Sequence, residues 1–285
     1  MRVEEIVTNQ ILDLLGKGKI PWKQSWSDNL PMNLISKREY SGINLFLLSI
    51  LGYSSPYFLT FNQVQQVKGH IKKGAKGIPV VFWNTFDKEV ETKGKKKIEV
   101  IPFLRYYTVF NTDQCEGIEI PKKEEAQKDE NYHKYEEVLH LYKDKPLIKE
   151  EGNRACYRPK EDLVCVPPLN RFKQAEDYFS VLFHELVHST GLDSRLDRFK
   201  REDLHIFGSE SYSKEELIAE LGSAFLSARY KIDNSLIEQS AGYIQGWVKV
   251  LKSDPKFIIS ASGKAQRAVN YMLNIKYERE EKSRS

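Results

Sequence analysis

The chain has 285 residues, of which 40% are hydrophobic and 12% aromatic, enough for two modest domains with buried cores. Its longest apolar run, INLFLLSILGY, is far shorter than the ~20 residues that a membrane-spanning helix needs, so no membrane partner is expected. The three cysteines, and an N-terminus without a continuous apolar stretch, argue against a secreted disulfide scaffold and favour the cytoplasm.

The net charge of +4 is unevenly distributed along the chain. Residues 1–110 contain 16 lysines and arginines against 9 acids, a net of +7, and the other 175 residues contain 28 against 31, a net of −3. A basic N-terminal part is typical of proteins that bind a polyanion. Many basic faces are merely solvated, so charge by itself does not decide for nucleic acid.

Residues 1–120 are predicted to form a small α+β domain. A helix is expected at residues 3–16, a short buried helix in SGINLFLLSILGY, and another in TFNQVQQVKGH with Thr60 as its N-cap. GIPVVFWNTF and IEVIPFLRYYTVFN are rich in β-branched and aromatic residues and predict strands. The polar stretch DKEVETKGKKK between them predicts a hairpin tip that turns at Gly94. No role is assigned to residues 87–99.

Residues 121–130, PKKEEAQKDE, contain almost no apolar residue and are predicted as a linker. The second domain, residues 131–285, is expected to be mostly helical with a short sheet. Its elements are a helix at 131–143, strands near ACYRP and DLVCVP, and helices at about 174–191, 213–230, 235–251 and 254–277. The predicted fold class is therefore α+β in two domains.

The stretch FHELVHSTG carries the pattern H-E-x-x-H. On a helix, His184 and His188 lie on one face and can bind one metal ion, and Glu185 can act as general base towards a water on that metal. The alternative is that both histidines are ordinary residues of a buried helix face.

A third ligand is needed, and the position of a third histidine in the longer pattern H-E-x-x-H-x-x-G-x-x-H is Ser194. SKEELIAELGSAFLSA supplies Glu216 as the ligand and Glu220 as the group that orients a ligand histidine; the reverse assignment stays open. Glu216 also fits a capping box with Ser213, which competes with metal binding. Small residues on this helix permit close approach to another helix: Ala219, Gly222, Ser223 and Ala224.

HELVHSTGLDSRLDR followed by EELIAELGSAFL resembles the gluzincin-type zinc metallopeptidases, whose glutamate ligand lies in an E-x-x-A-[D/N/E] helix that Glu216, Ala219 and Glu220 match. The whole chain is similar to the ArdC family of plasmid-borne antirestriction proteins. IPWKQSW, NLISKREYSGINLFLL, FLTFNQVQQVKGHIKKGAKG and YYTVFNTDQCEG match its single-stranded-DNA-binding domain, and ACYRPKEDLVCVPPLNRFKQAEDYFSVLFHELVHSTG matches its zincin-like metallopeptidase domain.

Cationic grooves with aromatic faces bind single-stranded nucleic acid, and three stretches of the basic part offer both. The candidate DNA-binding residues are Trp22, Lys23, Trp26, Arg38, Tyr40, Lys72, Lys73 and Lys76. Each stretch also has an ordinary interpretation, since tryptophans usually belong to a core and lysine-rich loops are usually soluble surface. The order of glycines in GHIKKGAKG does not fit a P-loop, so an ATPase is rejected.

Two hypotheses follow. In the first, a DNA-binding module is joined to a Zn²⁺ peptidase (Mn²⁺ or Co²⁺ would accept the same ligands) that acts on an unknown protein substrate near single-stranded DNA. In the second, the chain protects single-stranded DNA by binding alone, and its metal site is structural or vestigial. A replication accessory protein would share the DNA module.

Overall fold

In the computed structural model the chain divides into two compact units, Met1–Asp13 with Asn29–Glu124 and Leu14–Asp28 with Glu125–Ser285. The predicted two-domain α+β architecture is confirmed. Residues 14–28, expected in the first domain, group with the second unit instead. The structure describes residues 3–23, 30–92, 95–121, 133–199, 210–234 and 241–275, so the predicted linker lies outside them apart from Pro121.

The helices agree closely with the hydrophobic pattern of the sequence. They are α1 (Val3–Gly16), α2 (Ile43–Ser49), α3 (Phe61–Gln66), α4 (His133–Leu141), α5 (Ala175–Ser189), α6 (Glu210–Tyr230), α7 (Ala241–Ser253) and α8 (Phe257–Met272). The strands are β1 (Met32–Asn33), β2 (Tyr57–Thr60), β3 (His70–Ile71), β4 (Ile78–Thr92), β5 (Lys95–Asn111), β6 (Cys115–Glu116), β7 (Leu147–Glu150), β8 (Cys156–Arg158) and β9 (Leu163–Val166).

A four-stranded sheet with the order β1-β2-β5-β4 forms the centre of the first unit. Alternation along the strands sends Phe58, Val80 and Val109 to one face, where they pack with Leu48 of α2. Leu59 points to the opposite face and packs in a second cluster under α3. Thr60 caps α3 as predicted, in a capping box with Gln63.

The hairpin of β4 and β5 is longer than the sequence predicts. Pairing runs from Ile78–Val109 to Thr92–Lys95, so most of the stretch expected as a polar tip is strand, and Gly94 lies outside the described residues. Backbone pairing of the two strands therefore continues into a stretch whose polar composition resembles a loop.

The second unit joins a three-stranded sheet, β7-β9-β8, to a layer of helices. Cys156 on β8 and Cys165 on β9 are direct cross-strand partners, and both are free thiols. Helix α6 packs against α5, α7 and α8. A Cβ atom added to Gly222 of α6 would lie 2.8 Å from the side chain of Val187 of α5, so this glycine permits the predicted close approach of the two helices.

Arg195, in the loop after α5, has a buried side chain that forms hydrogen bonds to several segments of this unit. Its guanidinium donates to the Asp162 carboxylate at 2.6 and 2.8 Å, to the carbonyl of Asp144 at 2.7 and 2.9 Å, and to the carbonyl of Ser189 at 2.9 Å. Only 4% of its side chain is exposed, and it lies 5.7 Å from the ring centre of Tyr142. Arg195 therefore anchors the loop after α5 to these segments.

Replacing Arg195 by alanine is expected to destabilise the second unit by about 2–3 kcal/mol, because it removes the hydrogen bonds that a buried guanidinium donates to several segments. Urea denaturation followed by circular dichroism measures this change. The control is Arg158→Ala, whose half-exposed ion pairs at 3.6 and 3.9 Å predict a much smaller loss of stability. Equal losses of stability for the two substitutions would contradict the proposed stabilisation of the second unit by Arg195.

Within the described residues, no helix has both the length and the apolar character needed to span a membrane.

Candidate metal centre

Two neighbouring helices bring together the side chains that the sequence singled out. His184 and His188 lie one turn apart on α5, and their Nε2 atoms are 3.1 Å from each other. Glu216 on α6 faces both, with Oε2 3.4 Å from His184 Nε2 and Oε1 3.4 Å from His188 Nε2. These three residues form a cluster that can hold a metal ion.

The separations within this cluster fit a four-coordinate divalent ion. Ligand atoms about 2.0–2.2 Å from such an ion lie roughly 3.3–3.5 Å from one another at the corners of a tetrahedron. Each imidazole nitrogen is 3.1 Å from the other and 3.4 Å from its nearer Glu216 oxygen, so each of these pairs has close to that spacing. The donor set, two imidazoles and one carboxylate, is that of a catalytic site with three protein ligands.

A carboxylate also lies near the Nδ1 atom of each imidazole, on the side away from the ligand cluster. Oε1 of Glu220 is 3.6 Å from His184 Nδ1, and Oε1 of Glu215 is 3.6 Å from His188 Nδ1. Such outer carboxylates favour the tautomer that leaves Nε2 free to bind a metal. Glu220 therefore lies beside His184, one of the two candidate ligand histidines.

Glu215 is in turn held by Arg198, which comes from the loop after α5. The Arg198 guanidinium donates to the Glu215 carboxylate at 2.7 and 3.3 Å, to the hydroxyl of Thr190 at 2.7 Å and to the carbonyl of Val187 at 2.8 Å. Both charged side chains are more than nine-tenths buried. Arg198 thus ties the end of α5 to α6 at the level of the candidate site.

The electrostatics of the cluster favour positive charge between the two helices. Burial opposes protonation of the imidazoles, but the surrounding glutamates, Glu216 foremost, together outweigh it. They raise the pKa of His184, and they raise the pKa of His188 well above its ordinary value. Burial likewise opposes ionisation of the glutamates, yet the charge of His188 holds the pKa of Glu216 far below its usual range. The charge of Arg198 does the same to a smaller extent for the pKa of Glu215.

Glu185 is buried on α5 next to His184. The pKa of His188 is lowered by burial and raised by Glu216 and Glu215. The charge of Glu185 raises this pKa by a smaller amount, which indicates that its carboxylate lies near the cluster. This is the position that a general base needs.

The capping box that competed for Glu216 does not form. Helix α6 begins at Glu210, three residues before Ser213, so Ser213 is inside the helix and is not its cap. The Glu216 carboxylate faces the two histidines instead.

The sequence reasoning missed Glu215 and the contact between Arg198 and Glu215. A signal was present: in SKEELIAELG two consecutive glutamates stand directly before a stretch of mainly apolar and small residues, so at least one of them is expected to be buried. A buried carboxylate needs a partner, and an arginine close to the H-E-x-x-H helix is the natural one. Pairing the two from sequence requires the loop geometry, which the pattern does not contain.

The structure corrects the DNA-binding prediction at Trp22. This side chain is only 1% exposed and packs edge-to-face on Trp247 at 5.3 Å, so it belongs to the core of the second unit and offers no face to a base. Lys23 groups with the same unit, where burial lowers its pKa and the charge of Glu220 partly offsets that effect. Trp26 lies outside the described residues.

The other candidates lie in the first unit. Tyr40 is partly buried against the edge of Phe58, at 6.1 Å, and burial raises its pKa. Lys72 donates to the Asp113 carbonyl at 2.9 Å, so it also anchors its own loop. Exposed positive side chains remain on the surface at four of the predicted positions: Arg38, Lys72, Lys73 and Lys76.

Two family models match the chain in succession. The model for the N-terminal domain of the anti-restriction factor ArdC matches residues 1–110, and that for the zincin-like metallopeptidase matches residues 139–264. Two crystal structures of antirestriction ArdC protein from the R388 plasmid are similar to this chain. The metal-free structure has a TM-score of 0.79 and 32% sequence identity, and the match covers 97% of this chain and 100% of the other. The Mn(II)-bound structure has a TM-score of 0.77 and 31% sequence identity, and the match covers 96% of this chain and 98% of the other.

Curated relatives agree with this assignment. Uncharacterized protein y4eC of Sinorhizobium fredii is 32% identical over 95% of this chain and 91% of its own length. Two proteins of Escherichia coli called DNA primase TraC are 32% and 30% identical over 94% of this chain, which spans only 20% and 27% of their lengths. The chain therefore belongs to the ArdC family of antirestriction proteins, with a zincin-like metallopeptidase domain after its N-terminal ArdC domain.

Proposed function

We propose that this antirestriction protein binds single-stranded DNA and hydrolyses peptide bonds at a divalent metal held by His184, His188 and Glu216. The observation that supports the peptidase is the convergence of two imidazole nitrogens, 3.1 Å apart, on the Glu216 carboxylate, whose two oxygens each lie 3.4 Å from one of them. Zinc suits the nitrogen and oxygen donors, and so do manganese and cobalt. The Mn(II)-bound structure of a relative supports a divalent ion.

The residues around the centre have distinct roles in this proposal. A bound divalent ion would polarise the peptide carbonyl and acidify the attacking water. Glu185 takes the proton of that water and passes it to the departing amine. Glu220 and Glu215 hold the imidazoles with Nε2 directed at the ligand cluster, and Arg198 keeps Glu215 ionised and in place.

The N-terminal unit supplies the DNA-binding part. Support comes from its match to the N-terminal domain of the anti-restriction factor ArdC, from its net charge of +3 (15 lysines and arginines against 12 acids), and from the exposed residues Arg38, Lys73 and Lys76. Joining the two activities in one chain raises the local concentration of protein substrates bound to the same DNA strand. This role places the protein in the cytoplasm, where plasmid DNA enters by conjugation and meets restriction enzymes.

Metal removal tests the peptidase directly. Treating the full chain with a chelator is expected to reduce hydrolysis of a fluorescently labelled unfolded protein to background, and adding back Zn²⁺, Mn²⁺ or Co²⁺ is expected to restore it. Because the carboxylates raise the pKa of both imidazoles, protons compete with the metal, so reloading weakens as the pH falls through that raised range.

The assay is run with and without an oligonucleotide of thymidines. A protein that binds a divalent ion yet hydrolyses nothing in either condition would count against the peptidase, and would favour a metal site that only stabilises the fold.

A further inference from the structure

Two aromatic rings are exposed side by side on the sheet of the first unit. Phe82 of β4 and Tyr107 of β5 are 42% and 46% exposed, and their ring centres are 5.5 Å apart in an edge-to-face arrangement. Neither is among the candidate DNA-binding residues selected from the sequence, although Tyr107 lies in the family-like stretch YYTVFNTDQCEG. Rings of this size are normally buried, so a touching pair in solvent marks a surface that a ligand can cover.

The register of the hairpin defines which face this pair occupies. Val80 is opposite Tyr107 and Phe82 is opposite Arg105, so the two rings and Arg105 lie on the same face as the buried residue Val80. Helix α2 covers the Val80 end of that face and is fastened to the strand edge by Asn44, which bonds to the N–H of Val81 at 2.8 Å and to its carbonyl at 2.7 Å. Beyond this attachment the face is exposed at Phe82, Arg105 and Tyr107.

We infer that this exposed patch, Phe82, Tyr107 and Arg105, is the base-stacking platform on which the N-terminal unit binds single-stranded DNA. The inference rests on the DNA binding proposed above and names its site. An aromatic pair next to a guanidinium, in a unit with a net charge of +3, is complementary to unstacked bases joined by phosphates. In a duplex the bases are already stacked on each other, so the same rings cannot reach their faces.

The neighbouring residue provides a matched control. Tyr106 is 54% exposed, more than either ring of the pair, but alternation along β5 sends it to the opposite face of the sheet. A substitution at Tyr106 removes an equally exposed aromatic ring from the same strand without altering the platform.

The test is fluorescence anisotropy of a labelled 20-nucleotide thymidine strand with the full chain and its variants. We expect Phe82→Ala and Tyr107→Ala each to weaken binding by roughly 5- to 100-fold, with Tyr106→Ala within twofold of the unsubstituted protein. A strand of the same length that lacks bases should bind the unsubstituted protein and both platform variants alike, since only phosphate contacts remain. Thermal unfolding checks that the variants keep their fold.

The possible results separate the inference from the proposed function. Tight single-strand binding that survives both platform substitutions overturns the platform and leaves DNA binding intact. Equal losses for normal and base-free strands, or an equal loss with Tyr106→Ala, also overturn it, because stacking would not be the cause. Absence of single-strand binding in the unsubstituted protein, or equal affinity for a duplex, overturns both.

Discussion

Glu216→Ala is expected to lower the metal affinity of the full chain by about 100- to 1,000-fold. Structural metal sites gain about 10–16 kcal/mol from four ligands, so one ligand accounts for roughly 2.5–4 kcal/mol. The Glu216 carboxylate lies 3.4 Å from Nε2 of both His184 and His188, and no other described carboxylate is recorded that close to both atoms. His184→Ala should have a comparable effect, because it removes another ligand of the same set.

Glu220→Ala provides the comparison. Its carboxylate is 3.6 Å from the other ring nitrogen of His184, so it orients a ligand without binding the ion, and its loss should cost about 10- to 100-fold at most. Metal content by mass spectrometry and competition with a chelating dye measure both variants. Retention of metal by Glu216→Ala together with its loss from Glu220→Ala would exchange the two assignments. Tight binding by every variant would move the metal site elsewhere.

Glu185→Gln is expected to reduce peptide hydrolysis by about 100- to 10,000-fold, the usual contribution of a general base, with metal content and DNA affinity unchanged. Glutamine has nearly the shape of glutamate but cannot accept the proton of the attacking water. The substitution also removes one of the negative charges that raise the pKa of His188, a change far smaller than the loss of a ligand. Initial rates on the labelled protein substrate give the effect.

Glu161→Gln is the control, since this glutamate is 59% exposed in the turn between β8 and β9 and should leave the rate unchanged. The same pair of variants separates the two hypotheses for antirestriction. Protection of incoming DNA that disappears with Glu185→Gln requires proteolysis. Protection that persists with Glu185→Gln, while hydrolysis is lost, would show that coating of the single strand is sufficient and that the peptidase serves another purpose.

The candidate metal centre was largely predictable because its key residues lie on one helix. The spacing of His184 and His188 depends only on helical geometry, so the pattern itself brings the two imidazoles together. Glu216 and Glu220 required a second inference, that a later helix with small residues would pack against the first. Gly222 against Val187 confirms that packing.

The DNA-binding surface was much less predictable. Trp22 and Lys23 stand in a basic stretch of sequence, yet the chain folds them into the second unit, where Trp22 packs on Trp247. Phe82 and Tyr107 occur in a strand pattern typical of a core, and nothing in that pattern indicates that α2 stops covering the sheet at Val81. Exposure depends on which element covers a face, and local sequence does not contain that information.

The sequence by itself therefore determined the element types, the division into two domains and the histidine pair, since these follow from periodicity, composition and spacing along a single helix. Only the tertiary structure decided the rest: that Arg198 reaches Glu215 behind His188, that Ser213 is inside α6 and leaves Glu216 to face the histidines, and that two rings stay exposed on the sheet. Each of these depends on contacts between segments distant in sequence, which are selected by the packing of the whole domain and by no local preference.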